Sequence, residues 1–482
     1  MVLTLPRSDR RVMSFKRKKM VILASYLRGE TYGLLGPQVA ATIIQEHSPY
    51  ECIVVAVAKE DDKSQIKRLL ADFFGPQRLL VAFSYLSGRE DLFSLARELR
   101  DDGAVTILAG PQADVDYLGE TGWREHAHRF RGLSKHFSFA FHGPAEQILP
   151  FLVSPEKKKP GPFPGLLWED EGGSLIQNPR CGWDSAYLKR VSWNNLYPVG
   201  EGTSSPLKIK TGQVLWQIGC PHAARTVEAE VDYPSFLGAK EKRKVRVWLK
   251  GCSFCDVAVD KGFYGSLDME CVLSQIQGLP ESVEGRKITF ELIHENALPG
   301  LPRLLHAVRS RGILLSQINL TLRADWFAHG ETHLREALNL AKDMGIRIFL
   351  GSMGFESFDD TILANLHKGL DVSTNLRAVR IMRQIKNEFP DHWGYSRAEG
   401  AVHGFIHPTP WDTEETEANN QKVINLYGLP FDILPERSIP LIIHHASALG
   451  DWIREVETKE NIQFKREGTI IGWWQVGERF VL

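Results

Sequence analysis

Between residues 19 and 153, short apolar runs alternate with segments whose apolar positions recur every three or four residues. The runs Met20–Ser25, Cys52–Val57, Leu79–Ser84, Val105–Ala109 and Phe137–His142 have the length and character of buried strands. The stretches Gln38–Glu46, Lys63–Phe74 and Glu90–Asp101 have the period of amphipathic helices. Strands joined by helical crossovers predict a parallel, doubly wound sheet of flavodoxin-like type. Ligands of such sheets bind at the carboxyl ends of the strands. In this chain those ends carry Tyr32 and Gly33 (within Tyr26 to Gly36), Ser84 and Tyr85, Gly110 before Pro111, and Gly143-Pro144-Ala145-Glu146. Small residues at such places let backbone approach a large planar ligand.

The alternation breaks over residues 154–212. Ser154 to Gly165 is rich in Pro, Gly and Lys and reads as an exposed linker, followed by a short hairpin turning at Glu171-Gly172-Gly173. Cys181 is isolated there and reads as structural. From Val214 to about Pro435 strands and helices alternate again. Ser266 is the expected cap of a helix running to Gln277, with Met269, Val272, Leu273 and Ile276 on one stripe and Cys271 off it. The expected strands are Lys287–Ile293, Ile318–Leu322, Ile346–Leu350 and Ala401–Ile406, and the expected helices are Pro302–Ser310, Thr332–Met344 and Asp359–Leu366. Such units build a parallel barrel or part of one, with chemistry at the strand carboxyl ends. Residues 436–482 hold a strand, the pair His444-His445, an amphipathic helix and a hairpin with Trp473 and Trp474. This tail is expected to close the barrel's open side or to cover a substrate.

Three of the six cysteines fall close together in the fold that this pattern implies. Cys252 and Cys255 flank Ser253-Phe254, and Cys220 stands upstream in an Ile-Gly-Cys-Pro turn. Between them, Thr226 to Tyr233 alternates apolar with acidic residues, and Lys244 to Lys250 alternates basic with apolar ones. Paired antiparallel, Glu228, Glu230 and Asp232 face Lys244, Arg246 and Lys250, which favours that pairing. Pro234 to Arg243 is then the hairpin loop, and the hairpin returns Cys220 beside Cys252. Three soft thiolates suit an iron–sulfur cluster. The same residues also allow Cys220 to be an ordinary buried thiol, with Cys252 and Cys255 binding zinc together with ligands elsewhere.

These residues resemble the cluster loop of radical S-adenosylmethionine (SAM) enzymes. There the usual C-x3-C-x-aromatic-C run is continuous, whereas here G-C-P and C-S-F-C are separated, and Trp248 stands where the first cysteine would be. Downstream, Arg323-Ala324-Asp325, then Gly354-Phe355-Glu356-Ser357 with Lys368-Gly369, then Gly404-Phe405-Ile406-His407-Pro408-Thr409-Pro410 fall in the family's order. The resemblance implies a 4Fe-4S cluster on Cys220, Cys252 and Cys255, with one iron left for SAM. It places Phe254 against SAM, Glu356 and Ser357 near its ribose, Arg323 and Asp325 near its polar end, and Glu291 or Glu295 at its amino group. Where relatives show paired acids, this chain has Leu292-Ile293.

The first sheet is similar to the cobalamin-binding domain that precedes many such modules. Tyr32, Gly33, Ser84, Tyr85, Gly110 and Gly143 are the residues implied to line it. Proline follows the glycine at both Gly110 and Gly143, unlike the family's usual double glycine and G-E-G-E, and the D-x-H-x-x-G of cobalt-ligating domains is missing. The resemblance therefore implies cobalamin held without a protein histidine below the metal. Reductive cleavage of SAM and methylation of an unactivated carbon are the implied chemistry, with flavodoxin or ferredoxin as electron donor. A cobalamin-dependent rearrangement or cyclisation, a radical SAM enzyme with a vestigial first domain, and a non-catalytic metal-binding module stay open. No general acid, base or nucleophile is assigned.

Composition narrows the setting. With 482 residues, 43% hydrophobic and 24% charged, the chain needs more than one core. Its net charge of −1 gives no field for nucleic acid or membrane, and six cysteines do not make a secreted disulfide framework. Residues 1–18 read as a basic leader before the first strand, not a signal peptide, and the chain is expected to be cytoplasmic. The expected layout is a Rossmann-like cobalamin-type domain at 19–153, a linker and hairpin at 154–212, a radical SAM-type domain at 213–435 with an inserted hairpin at 221–250, and a C-terminal subdomain at 436–482.

Overall fold

The computed structural model describes residues 17–84, 88–155, 161–238, 243–255, 265–282 and 284–481. Most of the leader and Tyr85 therefore lie outside the described residues. The first unit contains β1 (Lys18–Ser25), α1 (Leu35–His47), β2 (Tyr50–Val57), α2 (Lys63–Phe74), β3 (Leu80–Ser84), α3 (Glu90–Asp101), β4 (Val105–Ala109), α4 (Ala113–Leu118) and β5 (Phe139–Phe141). It continues through β6 (Leu166–Glu169), β7 (Leu175–Gln177) and β8 (Leu196–Pro198). All eight strands share one sheet in the order β7-β6-β5-β4-β3-β1-β2-β8. The strands from β5 to β8 along this order run parallel, while β6 and β7 are antiparallel.

Both faces of β1 are buried, which explains its unbroken apolar run. Met20, Ile22 and Ala24 pack with Ala41 and Ile44 of α1. Val21 and Leu23 pack with Ile66 and Leu70 of α2 and with Leu92 and Leu95 of α3. The stretch expected as a connector is folded into this sheet. Its hairpin supplies β6 and β7 at one edge, and β8 pairs with β2 at the other. Proline-rich composition marked the linker, but Leu166, Leu167 and Leu196 are fully buried and fix the segment by burial.

The second unit begins with β9 (Thr211–Leu215), β10 (Gln217–Ile218), β11 (Thr226–Asp232), β12 (Lys244–Lys250), β13 (Gly265–Ser266) and α5 (Met269–Gly278). Then come β14 (Thr289–Ile293), α6 (Leu301–Ser310), β15 (Gln317–Arg323), α7 (Ala324–His329), α8 (Glu331–Met344) and β16 (Arg347–Glu356). The unit ends with α9 (Asp360–Asn365), α10 (Val372–Glu388), β17 (Trp393–Gly394), β18 (Gly404–Phe405) and α11 (Glu414–Leu426). Strands β9, β14, β15 and β16 form a parallel sheet, and both β17 and β18 add to β16. The molecule is thus a mixed α/β fold built on parallel sheets.

Three local expectations are corrected. Asp268, not Ser266, caps α5 by accepting from Cys271 N, because Ser266 pairs with Gln217 between β13 and β10. Strand β16 runs through Gly354-Phe355-Glu356 rather than ending before it, since β15 and β18 both pair with that stretch. The expected strand Ala401–Ile406 is only Gly404–Phe405.

Strands β11 and β12 pair antiparallel with Thr226 opposite Lys250, Glu230 opposite Arg246 and Asp232 opposite Lys244. Glu228 faces Trp248 rather than a cation. The charges lie outward, where Glu230 approaches both Lys244 and Arg246 at 3.6 Å. Val231, Val245, Val247 and Leu249 point inward and share a core with Ile362, Leu366, Trp411 and the tail. The tail consists of β19 (Ile443–His444), α12 (Ala448–Glu460), β20 (Phe464–Glu467), β21 (Ile470–Val476) and β22 (Arg479–Phe480), four strands around β21. Among the described residues no helix is long and apolar enough to cross a membrane.

The register of β12 predicts a sharp contrast between neighbours. Leu249→Ala, buried, should cost about 2–5 kcal/mol, whereas Trp248→Ala, 66% exposed, should change stability by no more than ~0.5 kcal/mol in urea unfolding.

Candidate functional site

The carboxyl ends of the second sheet converge on the loop Gly251–Cys255. That loop is held from two sides. Ser253 N donates to Leu366 O at 2.9 Å and Ser253 Oγ donates to Asn365 O at 2.8 Å, fixing it to the end of α9. Leu449 N, in the first turn of α12, donates to Ser253 O at 3.1 Å. The Phe254 ring packs against the core shared by the hairpin and the tail.

The hairpin brings the Cys220 turn to this loop. Ala223 N donates to Cys220 O, closing the turn, and Ala223 packs on Gly251 so tightly that a Cβ at 251 would lie 3.1 Å from the Ala223 Cβ. Gly251 also has φ +74°, a conformation that favours glycine. His222, in the same turn, donates from Nε2 to His367 O at 3.2 Å, and His367 Nδ1 donates to Gly251 O at 3.0 Å. Burial raises both the Cys220 and Cys252 thiols above their ordinary value, and the Arg323 guanidinium opposes that rise at each. None of the six cysteines is in a disulfide.

Arg323, at the end of β15, is a hub. Its Nη1 lies 3.6 Å from Cys252 Sγ, its Nη2 donates to Lys368 O at 2.6 Å, and its Nε donates to Asp325 at 3.1 Å. Glu356 closes β16 with φ +62°, a costly value for a non-glycine residue. Its carboxylate accepts from Lys368 Nζ at 2.8 Å, both side chains being buried. Room for that pair is made by Gly354 and Gly404, where a Cβ would come within 2.4 and 2.8 Å of the Glu356 carboxylate oxygens. Burial alone would lower the Lys368 amine, but Glu356 and Cys252 outweigh it and hold its pKa above the ordinary value.

The two acids weighed for an amino-group contact separate. Glu291 accepts from Gln213 and from Thr321, both at 3.1 Å, across the sheet face. Glu295 lies past the end of β14, where burial raises its carboxyl and Lys368 and Arg323 oppose the rise. It also acts on Cys220, so it shares the thiols' surroundings. Ser357 is turned away: its Oγ donates to Asn420 and accepts from Asp359 N. Sequence reasoning noted Lys368 only as part of a helix-ending motif and missed His222 and His367. The adjacency of His222 to Cys220 was the available signal.

At the first sheet, Ser84 ends β3 opposite Ala109 of β4, and Gly110 follows with φ +115°. Gly143 follows β5 with φ +105°, and a Cβ there would meet Gln147 and Arg180 at 3.1–3.2 Å. Tyr32 and Gly33 are drawn into packing between the two sheets. Tyr32 bridges to Thr211 of β9, and Gly33 leaves room for the Trp193 ring, which a Cβ would overlap at 2.2 Å. His142 approaches Asp114 at 3.4 Å.

No family model and no curated protein matches the sequence. Among solved structures, the fold is similar to that of the apo, selenomethionine-labelled cobalamin-dependent S-adenosylmethionine radical enzyme OxsB. The TM-score is 0.60 at 12% sequence identity over 95% of this chain. The chain spans 64% of that protein's length. At this identity the likeness establishes the fold.

The buried Lys368–Glu356 pair carries a prediction. Lys368→Met strands a buried carboxylate and should cost ~3–5 kcal/mol, while adding Glu356→Gln to it should recover much of that loss in denaturant unfolding.

Proposed function

We propose that this chain is a radical SAM enzyme whose cluster is held by Cys220, Cys252 and Cys255, with cobalamin at the first sheet. The observation that carries this reading is the packing of the Cys220 turn on Gly251, the residue before Cys252, which brings two motifs separated in sequence side by side. The donor set fits the cluster: three thiols, with a guanidinium 3.6 Å from Cys252 to offset the negative charge of an iron–sulfur thiolate centre. The first sheet fits a large planar cofactor less fully. Ser84, Gly110 and Gly143 stand at adjacent strand ends and support the assignment, whereas Tyr32 and Gly33 are accounted for by packing. The similarity of fold to a cobalamin-dependent SAM radical enzyme supports the same reading.

When bound, the reduced cluster supplies the electron that cleaves SAM, and cobalamin supplies a transferable methyl group. The chain's own residues do the placing. Arg323, Lys368 and Glu295 present paired charges where the amino and carboxylate groups of SAM would lie. Glu356, between Gly354 and Gly404, offers a carboxylate to ribose hydroxyls. Glu295 takes precedence over Glu291 at the amino group, and Asp325 orients Arg323. Phe254 seals the loop's inner side against the tail. We assign methylation of an unactivated carbon as the outcome, an acidic flavodoxin- or ferredoxin-type protein as donor, and a cytoplasmic setting.

Two experiments test the reading. After anaerobic reconstitution the protein should hold roughly four iron and four sulfide. Cys220→Ala should lose them as fully as Cys252→Ala, while Cys271→Ala, a buried cysteine hydrogen-bonded to Gln275, should keep them. With reductant and SAM, 5′-deoxyadenosine should form, and Glu356→Gln should weaken SAM binding by at least about tenfold, ~1.4 kcal/mol, because it removes the ribose contact and leaves Lys368 without its counter-charge. Retention of the cluster in Cys220→Ala would remove Cys220 from the ligand set. SAM cleavage with no cobalamin retained through gel filtration would reduce the first sheet to a scaffold.

A further inference from the structure

A second cluster of titratable side chains lies away from the thiols. Asp116 of α4, His444 of β19 and His445 are all buried, and their ligating atoms lie within 4.8 Å of one another. His444 Nε2 is 3.0 Å and His445 Nε2 3.2 Å from the same oxygen, Asp116 Oδ1. That spacing suits a metal ion or a pair of hydrogen bonds, and the backbone decides between them. Ala446 N donates to His444 Nδ1 at 3.2 Å, so Nδ1 is the bare nitrogen and the ring proton sits on Nε2, facing Asp116. A metal on Nε2 needs the opposite tautomer.

Charge agrees. Beside the histidines, the buried carboxylates of Glu120 and Glu457 face the guanidiniums of Arg454 and Arg466. Arg454 Nη1 also donates to His445 O at 2.9 Å, and Phe130 packs on the His445 ring. The contacts of Asp116 with the two histidines, of Glu120 with Arg454 and Arg466, and of Phe130 with His445 join the first unit to the tail.

The position of the cluster gives it a task. Gly110 O accepts from Ala113 N, so the strand-end loop after β4 is tied to the helix that carries Asp116. On the other side, Ser447 Oγ donates to His444 O and accepts from Gly450 N, capping α12. Leu449, in that first turn, donates to Ser253 O between the two loop cysteines. A short run of hydrogen bonds therefore leads from Gly110 to Ser253.

We infer that Asp116, His444 and His445 form a positioning clamp that fixes the loop at Gly110 relative to the thiol loop, and that the clamp loosens in acid. Its purpose rests on the proposed function, in which those loops hold the two cofactors; its existence does not. The pH sense follows from burial and hydrogen bonding. Burial pushes the His445 imidazole below its ordinary value of 6.5, with Asp116 opposing. Its contribution is thus present above 6.5 and is lost as pH falls below it, when the opened state takes up a proton that the closed state refuses. Burial would raise Asp116, but hydrogen bonds from His444 and His445 hold it below the ordinary carboxylate range, so its share is lost only in stronger acid. His128, which approaches Glu457 at 3.6 Å, Asp451, paired with Arg454, and Arg129, on which Glu120 and Glu457 act, are the other titratable groups around the cluster.

Hydrogen exchange on the full-length protein, read by mass spectrometry, tests this. In Asp116→Asn and in His445→Gln, peptides spanning 110–118 and 250–255 should both exchange faster, on the order of tenfold. Wild type moved from pH 7.5 to 5.5 should show the same paired loss after correction for intrinsic exchange. The wild-type arm decides the matter if a variant does not fold. Loosening of 110–118 with 250–255 still protected, or no change in acid, would overturn the clamp. So would one equivalent of divalent metal by elemental analysis, lost in Asp116→Asn, which would make the cluster a metal site. Iron and sulfide content of Asp116→Asn should equal wild type, so failure of the clamp and failure of the cluster assignment are read separately.

Discussion

The arrangement of the site depends on a buried cation that has to be neutralised. Lys368 sits out of water at the end of the α9 segment, and an unpaired ammonium there would cost several kcal/mol. Glu356 neutralises it only because β16 ends in a strained backbone and because Gly354 and Gly404 leave space for the carboxylate. Arg323 adds a second buried cation, offset by Asp325 and directed at Cys252. Three strand ends and one loop are thus locked together by charge, and Cys252 lies beside the two cations.

A second constraint is the distance in sequence between Cys220 and Cys252. Joining separated thiols through a flexible loop would cost closure entropy each time they came together. The antiparallel pairing of β11 with β12 removes that cost by ordering the insert as a ladder with its own buried face. The same face binds the tail, and the tail reaches the first unit through Arg454, Arg466 and the two histidines. The hairpin, the tail and the first sheet are therefore one mechanical path, not three attachments.

Much of this was legible in the sequence because period and charge were unambiguous. Helices α2 and α3 and strand β4 fall at the expected residues, and Gly345 ends α8 in the left-handed conformation. The alternation of Thr226 to Tyr233 and Lys244 to Lys250 announced the hairpin. What was not legible depended on tertiary partners. The hairpin of β6 and β7 was legible from its turn, but its attachment to β5 and the short strand β8 beside β2 are revealed only by burial in the sheet. The roles of Glu291 and Ser357 could not be separated from those of Glu295 and Lys368 without knowing which side chains were already satisfied by Gln213, Thr321 and Asn420. The clamp at Asp116 joins residues more than three hundred positions apart, and no local pattern encodes such a pairing.

The central claim is that three thiols hold a cluster with one iron open to SAM. The most direct measurement is electron paramagnetic resonance of the reduced, reconstituted protein with and without SAM. A three-cysteine site predicts a reduced-cluster signal whose g-values shift when SAM is added, because the amino and carboxylate groups bind the open iron. A signal that SAM leaves unmoved, or the lack of any cluster signal in a folded protein, would contradict the account.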